Sequence, residues 1–170
     1  MANKPIEIVQ MAGDAGAYKA CLTPDNLLLR GFMAGLMIAV GAALATVCST
    51  GVEPILGAGV KSLIAGSVFP VGLIAIVLTG MQLFTGDTML MPMAAMQKKT
   101  AWQKVFIAWG LVYVGNFVGS IFWAYLMSIG PYSVGGSATI TGFGNTAIAI
   151  AQAKVTPYIA AGGVGWWSAF

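Results

Sequence analysis

One short run in this sequence has the residue types for chemistry in an unlikely setting: Thr79-Gly80-Met81-Gln82-Leu83-Phe84-Thr85-Gly86-Asp87-Thr88. It places hydroxyls, a carboxamide and a carboxylate inside residues 62–96, a stretch with no other charged side chain. A charged or strongly polar group at the centre of a membrane helix costs about 2.5–3.5 kcal/mol on insertion scales, so Gln82, Thr85, Asp87 and Thr88 point to function before they point to packing. Gly80 and Gly86 admit backbone angles closed to other residues, and Pro70 and Pro92 loosen the flanks. The run therefore predicts a helix broken near residues 80–88, with a first part over 62–79 and a second ending near 96. Irregular backbone at membrane depth is tolerated only where protein buries it or it lines a watery cavity. A fresh helix start near Thr88 would present free amides and the positive end of a helix dipole, which favour an anion. An inserted kink packed against neighbouring protein stays open as the plainer alternative.

The elements that must hold this run are read from composition and hydropathy. Of 170 residues, 58% are hydrophobic and 8% charged, against about 25% charged in an average soluble domain. So few charges cannot clothe a water-facing surface, and lipid is the expected solvent. The net charge of +3 is spread over short segments, which excludes a nucleic-acid patch. With no histidine, and with Cys21 and Cys48 far apart, no metal site, nucleophile and base pair or cofactor loop can be assembled, so no cofactor, no metal and no enzyme activity are expected. The two thiols are expected to be free.

Residues 31–50 form one span of twenty uncharged residues, which as a helix rises about 30 Å, the thickness of the hydrocarbon core. Residues 62–96 form the broken second span, 101–129 the third, and 155–170 an incomplete fourth after a glycine-, serine- and threonine-rich stretch. Lys4, Lys19 and Arg30 precede the first span, and Lys98, Lys99 and Lys104 fill the connection from second to third. This places both segments, and the N-terminus, in the cytoplasm. The connection after the first span, with one Glu and one Lys, and the one ending at Lys154 then face outward. Gly31 with Gly35, and Gly115 with Gly119, permit close helix packing. Met89, Met91, Met93 and Met96 read as apolar filler.

Phe69-Pro70-Val71-Gly72-Leu73 followed by Gly80-Met81-Gln82-Leu83-Phe84-Thr85-Gly86-Asp87-Thr88 resembles the second-helix signature of the formate/nitrite transporter family, and Tyr113-Val114-Gly115-Asn116-Phe117-Val118-Gly119 is similar to its third-helix motif. The resemblance covers nearly the whole chain and is strongest to the formate transporters of methanogenic archaea. It implies an all-α membrane protein, an aquaporin-like helical bundle with an interrupted second helix, assembled as a homopentamer with a pore in each protomer. Its halves would be an inverted repeat, so that this sequence is expected to be truncated after three spans and part of a fourth, before the family's pore histidine. By resemblance Phe69, Leu73 and Phe84 would form apolar constrictions, Thr85 would be the gate in a loop of Gly80, Gln82, Thr85, Gly86, Asp87 and Thr88, and Asn116 and Lys154 would support the loop and attract the anion. Gln82 stands where many relatives carry an acid. The implied function is channel-like transport of a small monovalent anion, with formate first. Nitrite or hydrosulfide transport, and a membrane assembly or scaffold piece without transport of its own, are the alternatives.

Overall fold

The computed structural model describes residues 3–160, and among these the regular elements are helices. They are α1 (Pro5–Ala20), α2 (Pro24–Ser49), α3 (Glu53–Val68), α4 (Pro70–Thr79), α5 (Phe84–Met96), α6 (Trp102–Ile129) and α7 (Gly142–Ala160). Three helical runs are long and apolar enough to cross a membrane: Pro24–Ser49, Glu53–Thr79 and Trp102–Ile129. The chain is an all-α membrane protein that crosses the bilayer several times.

Two compact units divide the chain. Unit 1 comprises Met1–Gly41 and Pro70–Trp123, and unit 2 comprises Ala42–Phe69 and Ala124–Phe170. In unit 1 a buried cluster of Ala20, Leu27, Met91, Ala95, Val105, Ala108 and Val112 joins α1, α2, α5 and α6, with Phe84 and Trp109 packed against it. Hydrophobic burial drives little association in lipid, so contact there depends on close packing and interhelical hydrogen bonds. The α2–α6 crossing meets that need with small residues. A Cβ on Gly35 would strike the Asn116 carbonyl, one on Gly119 would strike that of Phe32, and one on Gly115 would lie 2.8 Å from that of Leu28. The hydroxyl of Ser120 donates to the Gly35 carbonyl at 3.1 Å across the same seam.

Unit 2 holds the end of α2, α3, the end of α6 and α7. Thr50 donates to Thr146 at 3.0 Å, and α7 is started by Thr141, whose Oγ1 accepts from the Gly144 amide at 3.2 Å. Helix α3 buries none of its residues, as suits a segment that lipid or other protein can surround.

Four boundaries differ from the sequence expectation. Helix α2 starts at Pro24 rather than 31: Pro24 is preset for a first helical position, and the Asn26 side chain donates from Nδ2 to Thr23 Oγ1 at 2.8 Å. Residues 53–61, expected as a connection, are helical, because Pro54 again suits a helix start and Glu53 and Lys61 pair at 2.7 Å. The non-helical part of the second span is confined to residues 80–83, since Thr85, Gly86, Asp87 and Thr88 lie in the first turns of α5. Asp87 is favoured there by the helix dipole. Finally, α7 begins at Gly142, which puts Lys154 within a helix instead of a loop. Of the expected fourth span, 155–170, residues 161–170 lie outside the described residues. Both cysteines are free.

Candidate functional site at the interrupted span

Gly80 makes the break. The Met81 amide donates to the Ile76 carbonyl at 3.1 Å and the Gly80 amide to that of Val77 at 3.4 Å, the crossed pair that ends a helix when the residue after its cap takes a left-handed conformation. Gly80 has φ 67°, which only glycine adopts without penalty.

Residues 80–83 leave backbone groups without helical partners, and α6 and α2 answer them while α1 holds side chains of the same segment. Asn116 on α6 does most of this. Its Nδ2 donates to the Gln82 carbonyl at 2.9 Å and the Gly31 carbonyl at 2.8 Å, while its Oδ1 accepts from the Phe84 amide at 2.9 Å. The Gln82 amide donates to the Arg30 carbonyl of α2 at 3.4 Å. From α1, the Lys19 ammonium donates at 2.8 Å both to Gln82 Oε1 and to Asp87 Oδ1. Gln82 and Asp87 are buried, Asp87 completely, and Trp109 Nε1 donates to the Asp87 carbonyl at 3.3 Å.

Helix α5 has no side-chain cap at Leu83. Its first amide is taken by Asn116 and its fourth, on Asp87, by the Leu83 carbonyl. The amides of Thr85 and Gly86 have no backbone acceptor among the described residues. They stand at the positive end of a thirteen-residue helix, the arrangement that favours a negative charge. Alongside lies a groove of about 340 Å³ lined chiefly by apolar atoms, with Leu73, Val77, Gly80, Leu83, Gly86 and Met89 among its walls and Lys19 as its one charged lining residue.

The expected site residues are only partly brought together. Gly80, Gly86 and Leu73 line the groove, and Gln82, Asp87 and Asn116 form the hydrogen-bonded frame behind it. Thr85 is exposed on the first turn, and Thr88 turns its hydroxyl to the Thr85 carbonyl at 2.8 Å. Phe84 is not among the lining residues: it packs edge-on against Trp109 and Tyr113, with ring centroids 6.3 and 5.4 Å away. Its neighbour Leu83 takes a lining place instead. Phe69 follows the last turn of α3 in unit 2, where its amide donates to Ala65, and Lys154 is also in unit 2. Leu83 and Lys19 are among the contributors that were not anticipated. Leu83 had a signal, since neighbouring residues across a break face different ways. Lys19, 63 positions from Gln82, had none beyond being a lone cation at the end of an otherwise apolar helical turn.

Comparison with known proteins bears on the same segment. The family model described as formate/nitrite transporter matches residues 6–170. Among curated relatives, an uncharacterized transporter of Bacillus subtilis, YrhG, is 39% identical over 137 residues, covering 76% of this chain and 51% of that protein. The formate channel BtFdhC of Bacillus thuringiensis is 33% identical over 153 residues, 90% of this chain and 57% of the relative. A probable formate transporter of Methanothermobacter thermautotrophicus is 34% identical over 143 residues, 82% and 51% of the two chains. This chain thus spans about half the length of the curated relatives it matches.

Proposed function

We propose that this chain, which belongs to the formate/nitrite transporter family, supplies one wall of a pore that conducts a small monovalent anion, formate in the first place. The observation that carries the proposal is the pairing of two unclaimed amides, Thr85 and Gly86, with an apolar groove at a break that the rest of unit 1 holds open. Two related proteins named for formate support the choice of substrate.

The chemistry follows from the two surfaces. Apolar walls at Leu73, Leu83 and Met89 strip water from an entering ion, and a bare charge in a low-dielectric throat is heavily penalised. The free amides offset part of that penalty with fixed dipoles, and the one full positive charge lining the groove, on Lys19, is already paired with Asp87. The remainder favours an ion small enough to sit at a helix start and basic enough to take up a proton in transit. Thr85 would then meet the anion at the break and Asn116 would hold the break in shape, while Phe69 and Lys154 would each meet the anion within unit 2.

The same reading places the protein in the cytoplasmic membrane, with α1, Arg30 and Lys98, Lys99 and Lys104 on the cytoplasmic side. It assigns residues 1–170 to the N-terminal part of a protomer in a homopentamer, with further protein opposing the groove. The test is uptake of labelled formate into vesicles carrying the complete protomer, this chain together with the protein that opposes its groove, at several pH values. Saturable formate flux that rises as the pH falls, with little passage of acetate or neutral solutes, is expected. Flux no greater than in protein-free vesicles would overturn the assignment.

A further inference from the structure

Lys19 joins parts of the chain that sequence distance gives no reason to connect: its partners Gln82 and Asp87 lie 63 and 68 positions away. Helix α1 reaches them because it is small where it meets α5. A Cβ on Gly16 would strike the Leu90 carbonyl, and one on Gly13 would strike the Gln97 side chain. Gln97 in turn donates to the Val9 carbonyl at 2.8 Å, and Lys99 pairs with Asp14 at 2.7 Å. These contacts fix the far end of α1, and Lys19 fixes the near end.

The electrostatics at that end are unusual. Asp87 is wholly buried, and its side-chain partner is the Lys19 ammonium on Oδ1, while Oδ2 has no partner among the described residues. The Lys19 side chain is only 20% exposed. A buried carboxylate met by a single cation is strongly destabilised if that cation leaves, so α1 cannot move away while Asp87 stays charged. The Gln82 side-chain oxygen lies at the same 2.8 Å from the same ammonium. A carboxylate at residue 82 would therefore meet Lys19 as directly as the one at residue 87.

We propose that Lys19 is a positioning residue that latches α1 to the break and to the helix that follows it, and that its required counter-charge is portable, carried here by Asp87 but equally effective at residue 82. The proposal rests on the groove being a pore wall only for its consequence in transport. The latch itself is a property of the fold. Bridging Gln82 within the break and Asp87 in the first turn of α5, the ammonium sets the spacing of the groove walls at Gly80, Leu83 and Gly86.

The experiment uses the full protein in vesicles with two readouts: hydrogen exchange of the α1 amides, and formate uptake resolved into KM and maximal rate. Asp87→Asn and Lys19→Met should each speed α1 exchange by about tenfold or more, as expected for loss of one member of a buried pair. Each should also lower the maximal uptake rate with little change in KM. The double variant Gln82→Glu with Asp87→Asn, which has the wild-type charge count, should return both readouts to within about twofold of wild type. If the double variant exchanges and transports like Asp87→Asn, or does not assemble, portability is wrong. Unchanged α1 exchange in Asp87→Asn would rule out the latch. Rescued exchange in a protein whose wild type carries no formate would leave the latch standing and sink the pore assignment alone.

Discussion

The helical run Glu53–Thr79 is disturbed by two glycines with left-handed φ, Gly57 inside α3 and Gly80 at the end of α4, and they have opposite fates. Gly57, at φ 83° and ψ 165°, kinks a helix that buries no residue, and a Cβ added there would touch nothing within 4 Å. The pair beside it, Lys61 with Glu53, is solvent-exposed on both sides, a class worth about 0–1 kcal/mol. Gly80 also has open space around its missing Cβ, yet the backbone groups freed by its break are answered by Asn116 and Arg30, and Lys19 holds the Gln82 side chain. A break in a span is thus not itself a site. It becomes one where other elements meet the freed backbone groups and leave a chosen few, here two amides, unclaimed.

The largest effect should come from removing that answer. Asn116→Leu keeps the approximate size of the side chain but leaves the Phe84 amide and the Gln82 and Gly31 carbonyls without partners. Each buried unsatisfied group costs about 1–3 kcal/mol, so a loss of roughly 3 kcal/mol or more is expected in detergent unfolding, with formate uptake falling to background. A variant of normal stability and flux would mean that the break is held by something other than α6, and the contrast with Gly57 would fail.

A pair of smaller substitutions sharpens the contrast by crossing its two readouts. Gly57 occupies a region of backbone space essentially reserved for glycine, so Gly57→Ala should lose about 1–3 kcal/mol of stability. Gly80→Ala, at φ 67°, should lose about 1–2 kcal/mol. Transport should rank them the other way. Only Gly80 shapes the groove, so its variant should lose most of its uptake while Gly57→Ala retains it at a temperature where both are folded. If uptake instead tracked stability in both, the break would be acting as a fold element alone.

How far the sequence revealed this arrangement depends on the range of the interactions. The third span was legible almost to the residue, 101–129 against Trp102–Ile129, because hydropathy is a local property and nothing within it interrupts the helix. The break was legible too, since Gly80 and the polar run around Gln82 have no other use in a span. Its extent was not. Thr85-Gly86-Asp87-Thr88 has poor helix propensity, but Asn116 caps the first turn from 32 positions away and the dipole favours Asp87. Residues 53–61 read as a connection because Glu53 and Lys61 are charged, and only the structure pairs them. Lys19 lay beyond sequence reading for the same reason: its role is defined wholly by long-range partners, and as a sequence feature it was one base among several.

Thr85 should give the smallest effect on the fold and the most discriminating one on transport. The resemblance made it the gate of the loop. In the structure it is exposed on the first turn of α5, and its hydroxyl has no partner among the described residues, while its carbonyl accepts from Thr88. Thr85→Val preserves the branched shape and removes only the hydroxyl, so stability should stay within about 0.5 kcal/mol of wild type. A hydroxyl that serves a passing anion contributes what one hydrogen bond does, about 0.5–1.5 kcal/mol, so the apparent affinity for formate should fall by roughly two- to tenfold with assembly unchanged. Thr88→Val is the internal control, because its hydroxyl is already committed to the Thr85 carbonyl; its uptake should match wild type. Equal losses in the two variants would mean that the effect comes through the first turn of α5 and not through contact with the anion. If Thr85→Val were as damaging to stability as Asn116→Leu, the hydroxyl would have to be bound to protein, and the description of Thr85 as a free group at the break would be wrong.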